Sequence, residues 1–349
     1  MITHRLNNLL PERVLIIKPS ALGDIVTAMP VLRGLKRSFP NVRVDWMVAT
    51  SCAPLIAHDT DLDGIVEFDR KGLGPWWRSP RAMGKLYRLF RELRGNHYDW
   101  VIDLQGLLRS GLLARATLGP MRIGFSKARE GAWLFYNHRF TGLETHTVNQ
   151  NLELAQAMGI DARPDDMTLQ LHPDGEAFTQ QMIADRDLPD GEYLACVPPA
   201  RWQSKRYPVR RWKQTLAGIT PHRKVVLLGA PGDERFCQEI AADFGDRVVD
   251  LTGRTSVEQF VAIIAHAGGV LCCDSAAKFI GPAVGTDVVC LIGPTQLERT
   301  GPFPTGRAIV SNVPCAGCLK RRCPKPICMD MIAPDDVITA SLEMFGDAR

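Results

Sequence analysis

The stretch Val14-Leu-Ile-Ile-Lys-Pro-Ser-Ala-Leu-Gly-Asp-Ile-Val-Thr-Ala-Met-Pro30 decides the fold of this chain. Its first four residues are apolar and mostly β-branched, which predicts a short buried strand. A turn through Lys18 to Gly23 then leads into an apolar helical pattern with Asp24 at its start. This strand–loop–helix order is typical of a doubly wound α/β domain, whose ligands bind beyond the carboxyl ends of the strands.

Asp24 has two interpretations at this position. A carboxylate beyond a strand end is well placed for acid–base chemistry, and Gly23, which has no Cβ, lets a substrate come close. Aspartate is also a good helix cap, and the stretch alone favours that role. A general base of this kind is expected to be buried or to lie near negative charge.

Strand and helix patterns alternate along the whole chain, which predicts parallel sheets covered by helices on both faces. Thr255-Ser-Val-Glu258 is a capping-box pattern that starts one of the helices. The predicted strands are Val14–Ile17, Val42–Val48, Ile65–Phe68, Trp100–Leu104, Tyr193–Val197, Val225–Leu228, Val248–Leu251, Val270–Cys273 and Val288–Ile292.

The length of 349 residues exceeds a typical single core and predicts two domains. The stretch 161–171 lacks periodicity and reads as the linker, which gives domains at 1–175 and 176–332. A last helix in 333–349, with Pro334 in its first turn and its end near Met344, is expected to pack back onto the N-terminal domain.

The composition is that of an ordinary soluble protein, with 45% hydrophobic and 23% charged residues and a net charge of +4. No apolar run approaches the roughly 18 residues of a membrane span. The segment from Met1 to Arg13 lacks the apolar core of a signal peptide. We therefore expect a cytoplasmic protein.

Several motifs occur together in one order, and in that order they resemble glycosyltransferase family 9, the heptosyltransferases of bacterial lipopolysaccharide assembly. The N-terminal half is most like the heptosyltransferase I branch. The motifs are Lys18-Pro-Ser-Ala-Leu-Gly-Asp24, Tyr98-Asp-Trp-Val-Ile-Asp-Leu-Gln-Gly-Leu-Leu-Arg-Ser110, Ala128-Arg-Glu130, Phe135-Tyr-Asn137, Arg201-Trp-Gln-Ser-Lys205, Leu251-Thr-Gly253 and Gly293-Pro-Thr295.

The resemblance implies a GT-B fold, in which two Rossmann-like domains face each other across a cleft. It implies that 1–175 binds the acceptor and 176–332 binds the nucleotide sugar. The implied reaction is inverting transfer of heptose from ADP-heptose to Kdo-lipid A or heptosyl-Kdo-lipid A, with Asp24 as general base and no cofactor required for catalysis.

The implied donor site follows two strands of the second half. Lys205 meets phosphate as a point charge, and the donor-binding residues are Ser204, Lys205, Asp274, Ser275 and Lys278. The chain departs from the family pattern here, because Ala276 replaces a glycine and Phe279 a histidine. Pro198 and Pro199 remove two N–H donors, and Pro231 replaces an acidic residue. Lys278, next to Phe279, is a candidate replacement for the lost contact.

The implied acceptor site lies in the first half. Arg109 and Arg129 match basic family positions and are expected to hold carboxylates or phosphates. The acceptor-binding residues are Lys18, Ser20, Gly23, Gln105, Gly106, Arg109 and Arg129.

Residues 70–95 form a basic amphipathic segment. Eight Lys or Arg residues accompany the single acid Glu92, and Trp76 and Trp77 lie within it. Met83, Leu86, Tyr87, Phe90 and Leu93 recur at helical spacing. Such a segment suits an anionic amphiphile at the cytoplasmic face of the inner membrane. An ordinary helix with solvated charges is the other interpretation.

The ten cysteines fall into two sets. Six lie in apolar segments and are expected in the core, namely Cys52, Cys196, Cys237, Cys272, Cys273 and Cys290. The other four, Cys315, Cys318, Cys323 and Cys328, have knuckle-like spacing. They predict either a structural zinc or iron site or reduced thiols in a compact loop. An RNA-binding knuckle is disfavoured because the loop has no aromatic residue for base stacking.

The chain has no GxxxxGK[ST] loop and no strand-linked GxGxxG motif, which argues against P-loop kinases and simple NAD enzymes. No nucleic-acid partner is expected. Two alternatives to the heptosyltransferase stay open. One is a GT-B transferase for another nucleotide sugar, and the other is a catalytically silent binding protein with the same fold.

Overall fold

A computed structural model describes residues 10–69, 72 and 79–346. The chain divides into two compact units, Met1–Met167 and Thr168–Arg349. The division lies eight residues before the boundary proposed from the sequence, at the short 3-10 helix Pro164–Asp166. Arg70, Lys71, Trp76, Trp77 and Arg78 of the basic segment lie outside the described residues.

The first unit contains a six-stranded parallel sheet in the order β3-β2-β1-β4-β5-β6. Its helices are α1 (Leu22–Val26), α2 (Met29–Ser38), α3 (Pro80–Gly95), α4 (Leu108–Ala116) and α5 (Thr147–Ala157). The strands are β1 (Arg13–Ile17), β2 (Arg43–Ala49), β3 (Gly64–Phe68), β4 (Trp100–Asp103), β5 (Met121–Phe125) and β6 (His138–Phe140).

The second unit repeats this architecture with the order β12-β11-β10-β7-β8-β9. Its strands are β7 (Leu194–Val197), β8 (Val225–Leu227), β9 (Val248–Asp250), β10 (Gly269–Cys273), β11 (Val288–Ile292) and β12 (Arg307–Val310). Its helices are α6 (Pro173–Arg186), α7 (Val209–Ile219), α8 (Glu234–Ala241), α9 (Val257–Ala265), α10 (Ala277–Ala283), α11 (Leu297–Thr300), α12 (Ile327–Asp330) and α13 (Pro334–Glu343).

The two sheets therefore have the same topology. Counted within its own unit, each has the order 3-2-1-4-5-6, and the direction of winding reverses between the first and fourth strands. That switch point lies between β1 and β4 in the first unit, and between β7 and β10 in the second. Loops that follow these four strands are brought together in pairs, which is where a doubly wound sheet binds ligands. The α/β prediction with two doubly wound domains is confirmed.

The predicted strands are all present, with ends that differ by one residue at most. Three further strands, β5, β6 and β12, had no strong sequence signal. β5 contains a glycine, and β6 and β12 are short outer strands with half-exposed or exposed residues. Edge strands bury little apolar surface, so their hydrophobic pattern is weak.

The C-terminal helix α13 belongs to the second unit. It packs on α7, where a Cβ on Gly218 would collide with Ile338. Val337 and Ala340 of α13 are buried in the core of this unit. The apolar face of the helix therefore has a partner within its own unit.

The six cysteines expected in the core are all buried, as predicted. Within the described ranges, no helix has the length and apolar character needed to cross a membrane.

Candidate active site

The switch point of the first unit is built around a buried lysine. Lys18 follows β1 and is 5% exposed, and its Nζ donates a hydrogen bond to the Leu104 carbonyl beyond β4 at 2.6 Å. Burial lowers the pKa of Lys18, and the carboxylates of Asp24 and Asp103 oppose that shift. The lysine thus joins the ends of the two central strands while keeping its charge close to two carboxylates.

Asp24 lies in the first turn of α1 and is exposed. Its Oδ2 accepts a hydrogen bond from the Ala21 N–H at 2.9 Å, so Asp24 stabilises the start of α1 from the third helical position, with Ala21 as the N-cap. The other carboxylate oxygen makes no hydrogen bond within the described residues. The setting differs from the expected one, because Asp24 is neither buried nor dominated by negative charge. The neighbouring Lys18 instead places a charge of the opposite sign near this carboxylate.

Asp103, at the end of β4, organises the Gln105 loop (residues 104–107). Its Oδ1 accepts the N–H groups of Gln105 and Gly106 at 2.9 and 3.1 Å, and its Oδ2 accepts the Tyr136 hydroxyl at 2.6 Å. Burial raises the pKa of Asp103, and these hydrogen bonds oppose the rise. Gly106 has φ 65°, a conformation that favours glycine. Three hydrogen bonds to the Asp103 carboxylate therefore fix the shape of this loop.

Gln105 and Arg129 lie at this loop. The Gln105 Oε1 is buried and has no hydrogen-bond partner in the part of the chain that the structure describes. Arg129 is exposed, its N–H donates to the Gly106 carbonyl at 2.9 Å, and its charge contributes to lowering the pKa of Lys18. The structure therefore brings Lys18, Asp24 and the Gln105 loop into one site with Arg129.

The remaining predicted acceptor residues surround this site less closely. Arg109 lies in the first turn of α4, exposed, with its Cζ 6.0 Å from the Phe68 ring centroid. Gly23 is buried, and Ser20 is half-buried in the loop between β1 and α1.

The switch point of the second unit is built around a buried carboxylate. Asp274 follows β10 and is 6% exposed. Lys205 Nζ lies 2.8 Å from its Oδ2, and the Lys278 ammonium and Thr295 hydroxyl also donate to the carboxylate. Burial alone would raise the pKa of Asp274, but the two lysines outweigh it and lower the pKa to about 2. Asp274 is therefore ionised, and one positive charge remains in excess.

The two lysines differ in what they can reach. The Lys278 side chain is 4% exposed and its Nζ lies 4.8 Å from the Phe279 ring centroid. The Lys205 side chain is 15% exposed and its Nζ lies 4.3 Å from the Trp202 ring centroid. Lys278 thus forms a fully buried ion pair with Asp274, whereas Lys205 is accessible enough to contact a ligand.

Two serines were predicted to bind the donor, and the structure gives them different roles. Ser275 Oγ, next to Asp274, is buried without a partner among the residues described. Ser204 is 1% exposed, and its hydroxyl donates to the Lys320 carbonyl at 2.7 Å. Ser275 therefore has an unmet hydrogen bond at the strand end, whereas Ser204 holds a neighbouring loop.

Sequence reasoning missed three residues that organise these sites, namely Thr295, Asp103 and Tyr136. All three lie within motifs that were singled out, but their partners are far away in the chain. The Asp103–Tyr136 hydrogen bond, for example, spans 33 positions. The pairing of the strands decides which residues of different motifs come within hydrogen-bonding distance of each other.

The four clustered cysteines belong to a segment that we call the cysteine loop (residues 313–328). Cys315 and Cys318 are exposed, Cys328 is buried, and Cys323 donates to the Lys325 carbonyl at 3.2 Å. In the described chain no three His, Cys, Asp or Glu side chains come together as a metal site. The prediction of a structural zinc or iron site is therefore not supported.

Helix α3 carries the described part of the basic segment. Leu89 and Leu93 are buried, whereas Met83 and Tyr87, expected on the same face, are 53% and 66% exposed. Lys85 forms an ion pair with Asp69 at 2.9 Å. The helix therefore presents two apolar side chains to solvent among its exposed arginines.

The sequence model of "Glycosyltransferase family 9 (heptosyltransferase)" matches residues 86–328, more than half of the chain. The chain belongs to glycosyltransferase family 9. It is therefore a glycosyltransferase by family, and the recognition made from its motifs is confirmed.

Named relatives agree with this family. Lipopolysaccharide heptosyltransferase 1 of Pseudomonas aeruginosa is 28% identical over 325 residues, which cover 89% of this chain and 87% of the relative. Lipopolysaccharide heptosyltransferase 1 of Salmonella typhimurium is 28% identical over 302 residues, covering 83% and 91%.

Solved structures of family 9 proteins share the fold. A glycosyl transferase family 9 protein of Veillonella parvula has a TM-score of 0.81 at 17% identity, covering 96% of this chain and 97% of its own. E. coli heptosyltransferase WaaC, solved with ADP-2-deoxy-2-fluoro heptose, has a TM-score of 0.73 at 22% identity, covering 96% and 99%. The predicted GT-B fold class is thereby confirmed.

Proposed function

We propose that this family 9 enzyme transfers heptose, with inversion, from ADP-heptose to the lipopolysaccharide inner core. The acceptor is Kdo-lipid A or heptosyl-Kdo-lipid A. The observation that carries the proposal is the pair of switch-point sites, one presenting a carboxylate and the other a lysine. A transfer of this kind needs a base for the acceptor hydroxyl and a cation for the departing diphosphate.

The second unit holds the donor in this proposal. Lys205 contacts the diphosphate of ADP-heptose, and the Ser275 hydroxyl supplies a hydrogen bond that it does not make within the protein. Asp274, with Lys278 and Thr295, positions Lys205. The net positive charge of this group offsets the charge that builds up on the leaving ADP. WaaC, a relative by fold, was solved with an ADP-heptose analogue.

The first unit supplies the base and binds the acceptor. Asp24 takes the proton from the attacking hydroxyl through the carboxylate oxygen that α1 does not use. The hydroxyl oxygen forms the new bond to the anomeric carbon while the bond from that carbon to the diphosphate oxygen breaks. The products are a heptosylated acceptor and ADP, so the step is balanced by the two substrates and the Asp24 carboxylate.

Acceptor recognition follows from the groups beside Asp24. Gln105 Oε1 accepts a sugar hydroxyl, which removes a buried unpaired acceptor. Arg129 and Arg109 bind acidic groups of the acceptor, while Lys18 and Gly106 fix the loops. Ser20 and Gly23 line the approach to Asp24.

The acceptor is an anionic lipid, so we extend the proposal to peripheral contact with the inner membrane surface. Met83 and Tyr87 are exposed on α3 beside Arg88 and Arg91. Apolar side chains among cations favour an anionic bilayer surface. The test is flotation with anionic phospholipid vesicles. Met83→Ser/Tyr87→Ser loses binding, and Leu143→Ser, which changes an even more exposed apolar side chain elsewhere, keeps it.

The reaction is tested by mixing the enzyme with ADP-heptose and a Kdo-lipid A acceptor and detecting the heptosylated product by mass spectrometry. The same assay with UDP- and GDP-sugars tests the alternative suggested by Ala276 and Phe279. The proposal predicts product from ADP-heptose. Product formed only from another nucleotide sugar would contradict the assignment of ADP-heptose as the donor. If no nucleotide binds, the proposal that this chain is an active transferase is contradicted.

A further inference from the structure

The cysteine loop has no role in the reaction described above, yet it is docked on the donor side of the second unit. The N–H groups of Gly317 and Leu319 donate to the carbonyls of Gly293 and Pro294 at 3.0 and 2.7 Å. The Ser204 hydroxyl holds the loop again through the Lys320 carbonyl. The loop is therefore attached both to the segment that follows β11 and to the residue before Lys205.

The close packing of this loop depends on Gly293. A Cβ at that position would lie 3.0 Å from the Cys328 Sγ and would also collide with Met329. Cys328 and Met329 are 5% and 0% exposed. The end of the cysteine loop is thus packed into the core, which fixes the position of the exposed residues before it.

A cavity of about 630 Å³ lies where the cysteine loop meets the segment around Trp202. Its volume is in the range of small-molecule sites. All of its lining residues belong to the second unit, and three of the five are arginines: Arg201, Trp202, Gln203, Arg321 and Arg322.

The three arginines of this cavity form no ion pair within the described residues. Other arginines of the same unit do, such as Arg206 with Asp233 and Arg307 with Glu343. Unpaired cations around one cavity repel each other, and an anion relieves that repulsion. Guanidinium groups also match carboxylate and phosphate geometry through paired hydrogen bonds.

The Trp202 ring connects this cavity to the donor site. Arg321 Cζ lies 5.3 Å from its centroid, and Lys205 Nζ lies 4.3 Å from the same centroid. The Trp202 indole therefore lies close to two cations, Arg321 of the cysteine loop and Lys205, which is paired with Asp274. An anion in the cavity would be close to the lysine proposed to hold the diphosphate.

We propose that this cavity binds an anionic group, a phosphate or a carboxylate on a sugar, of one of the two substrates. The cysteine loop positions Arg321 and Arg322 for that purpose. This inference rests on the proposed function, since the two sources of such a group are the ADP part of the donor and the acidic Kdo of the acceptor. Both present the same chemistry to the arginines.

The test uses Arg321→Gln/Arg322→Gln in the full chain, with Arg235→Gln as the matched control. Arg235 is exposed on α8 and does not line the cavity. Calorimetric titration with ADP measures one source, and titration with free Kdo measures the other. Each charged hydrogen bond contributes about 1.5 kcal/mol or more, so the affinity for one probe falls about tenfold or more in the double variant.

A second readout places the probe in the cavity. The change in tryptophan fluorescence on adding the probe is compared between wild type and Trp202→Phe. The proposal predicts that the probe whose affinity falls also loses its fluorescence change in Trp202→Phe. Unchanged affinity for both probes in Arg321→Gln/Arg322→Gln would overturn the inference. These titrations need no turnover, so a failure of the transfer assay is distinguishable from a failure of this site.

Discussion

The two switch points share one strand order but place their charges in opposite ways. In the first unit the lysine is buried, with Lys18 at 5% exposure, and the carboxylate of Asp24 is exposed. In the second unit the carboxylate of Asp274 is buried, and the Lys205 ammonium is the group with access to solvent. Each site therefore has a buried ion of one sign beside a more accessible ion of the other.

This difference shows that one sheet topology can place an accessible carboxylate at its switch point in one unit and an accessible ammonium in the other. The buried ion has its charge satisfied inside the protein, by a carbonyl for Lys18 and by two lysines for Asp274. Its accessible neighbour lies beside this ion of opposite sign. A base is thus available at one site and a phosphate-binding cation at the other.

The largest expected effect is from Asp24→Asn. A positioned general base contributes about 10²- to 10⁴-fold to the rate, so single-turnover transfer falls by that factor. The amide oxygen can still accept the Ala21 N–H, so α1 is retained and the melting temperature stays close to that of wild type. Wild-type transfer in this variant would remove Asp24 as the base.

A smaller loss is expected from Lys205→Met. Removing one preorganised charge at the leaving group costs roughly 10²- to 10³-fold in rate. The affinity for ADP, measured by calorimetry, falls as well because Lys205 contacts the ground-state diphosphate. Retained ADP affinity would show that the accessible lysine is not the phosphate ligand, and the contrast between the two units would fail.

Lys278→Met tests the buried half of the second site. It leaves the buried Asp274 carboxylate with Lys205 as its one described cation, which lowers the free energy of unfolding measured in urea. Lys205 is then the only ammonium on Asp274, and ADP affinity falls about tenfold.

The matched control is Asp274→Asn/Lys278→Met, which removes both buried charges. It recovers much of the lost unfolding free energy, since the buried carboxylate is removed together with its buried lysine. If the single and double variants unfold at the same urea concentration, the Asp274–Lys278 pair is not the source of the effect.

The smallest effect is a pH dependence of stability. The pKa of Asp274 is about 2 in the folded protein, below its ordinary 3.8. The stabilisation is therefore complete above about pH 4 and is lost as the pH falls to about 2, a change of about 2 kcal/mol. Urea unfolding of the wild type at decreasing pH measures this loss of unfolding free energy. In Asp274→Asn/Lys278→Met the contribution of Asp274 to the acid-induced loss is absent.

Most of the fold could be predicted from local patterns. β-branched runs such as Val14–Ile17 identify the central strands because both faces of such strands are buried. The edge strands β6 and β12 were missed because partly exposed strands carry no continuous apolar run. The capping box was placed one residue early. The structure uses Ser256 and Gln259, whose side chains bond each other's N–H groups.

For the site, the sequence predicted which residues take part but not how they contact each other. Lys205 and Asp274 were both expected at the donor site, but their 2.8 Å contact depends on β7 lying beside β10. Lys278 was only a candidate donor contact, since it points elsewhere on its helix, and the pair that it forms with Asp274 had no local signal. Burial of a charge depends on tertiary packing, and no local pattern reports it.

The most direct test of the division between the two units is ADP titration and single-turnover transfer on the same samples of Asp24→Asn and Lys205→Met. We predict that Asp24→Asn binds ADP as wild type does and transfers almost no heptose, while Lys205→Met loses ADP affinity. Loss of ADP affinity in Asp24→Asn together with retained affinity in Lys205→Met would contradict the assignment of base and phosphate-binding cation to these two sites.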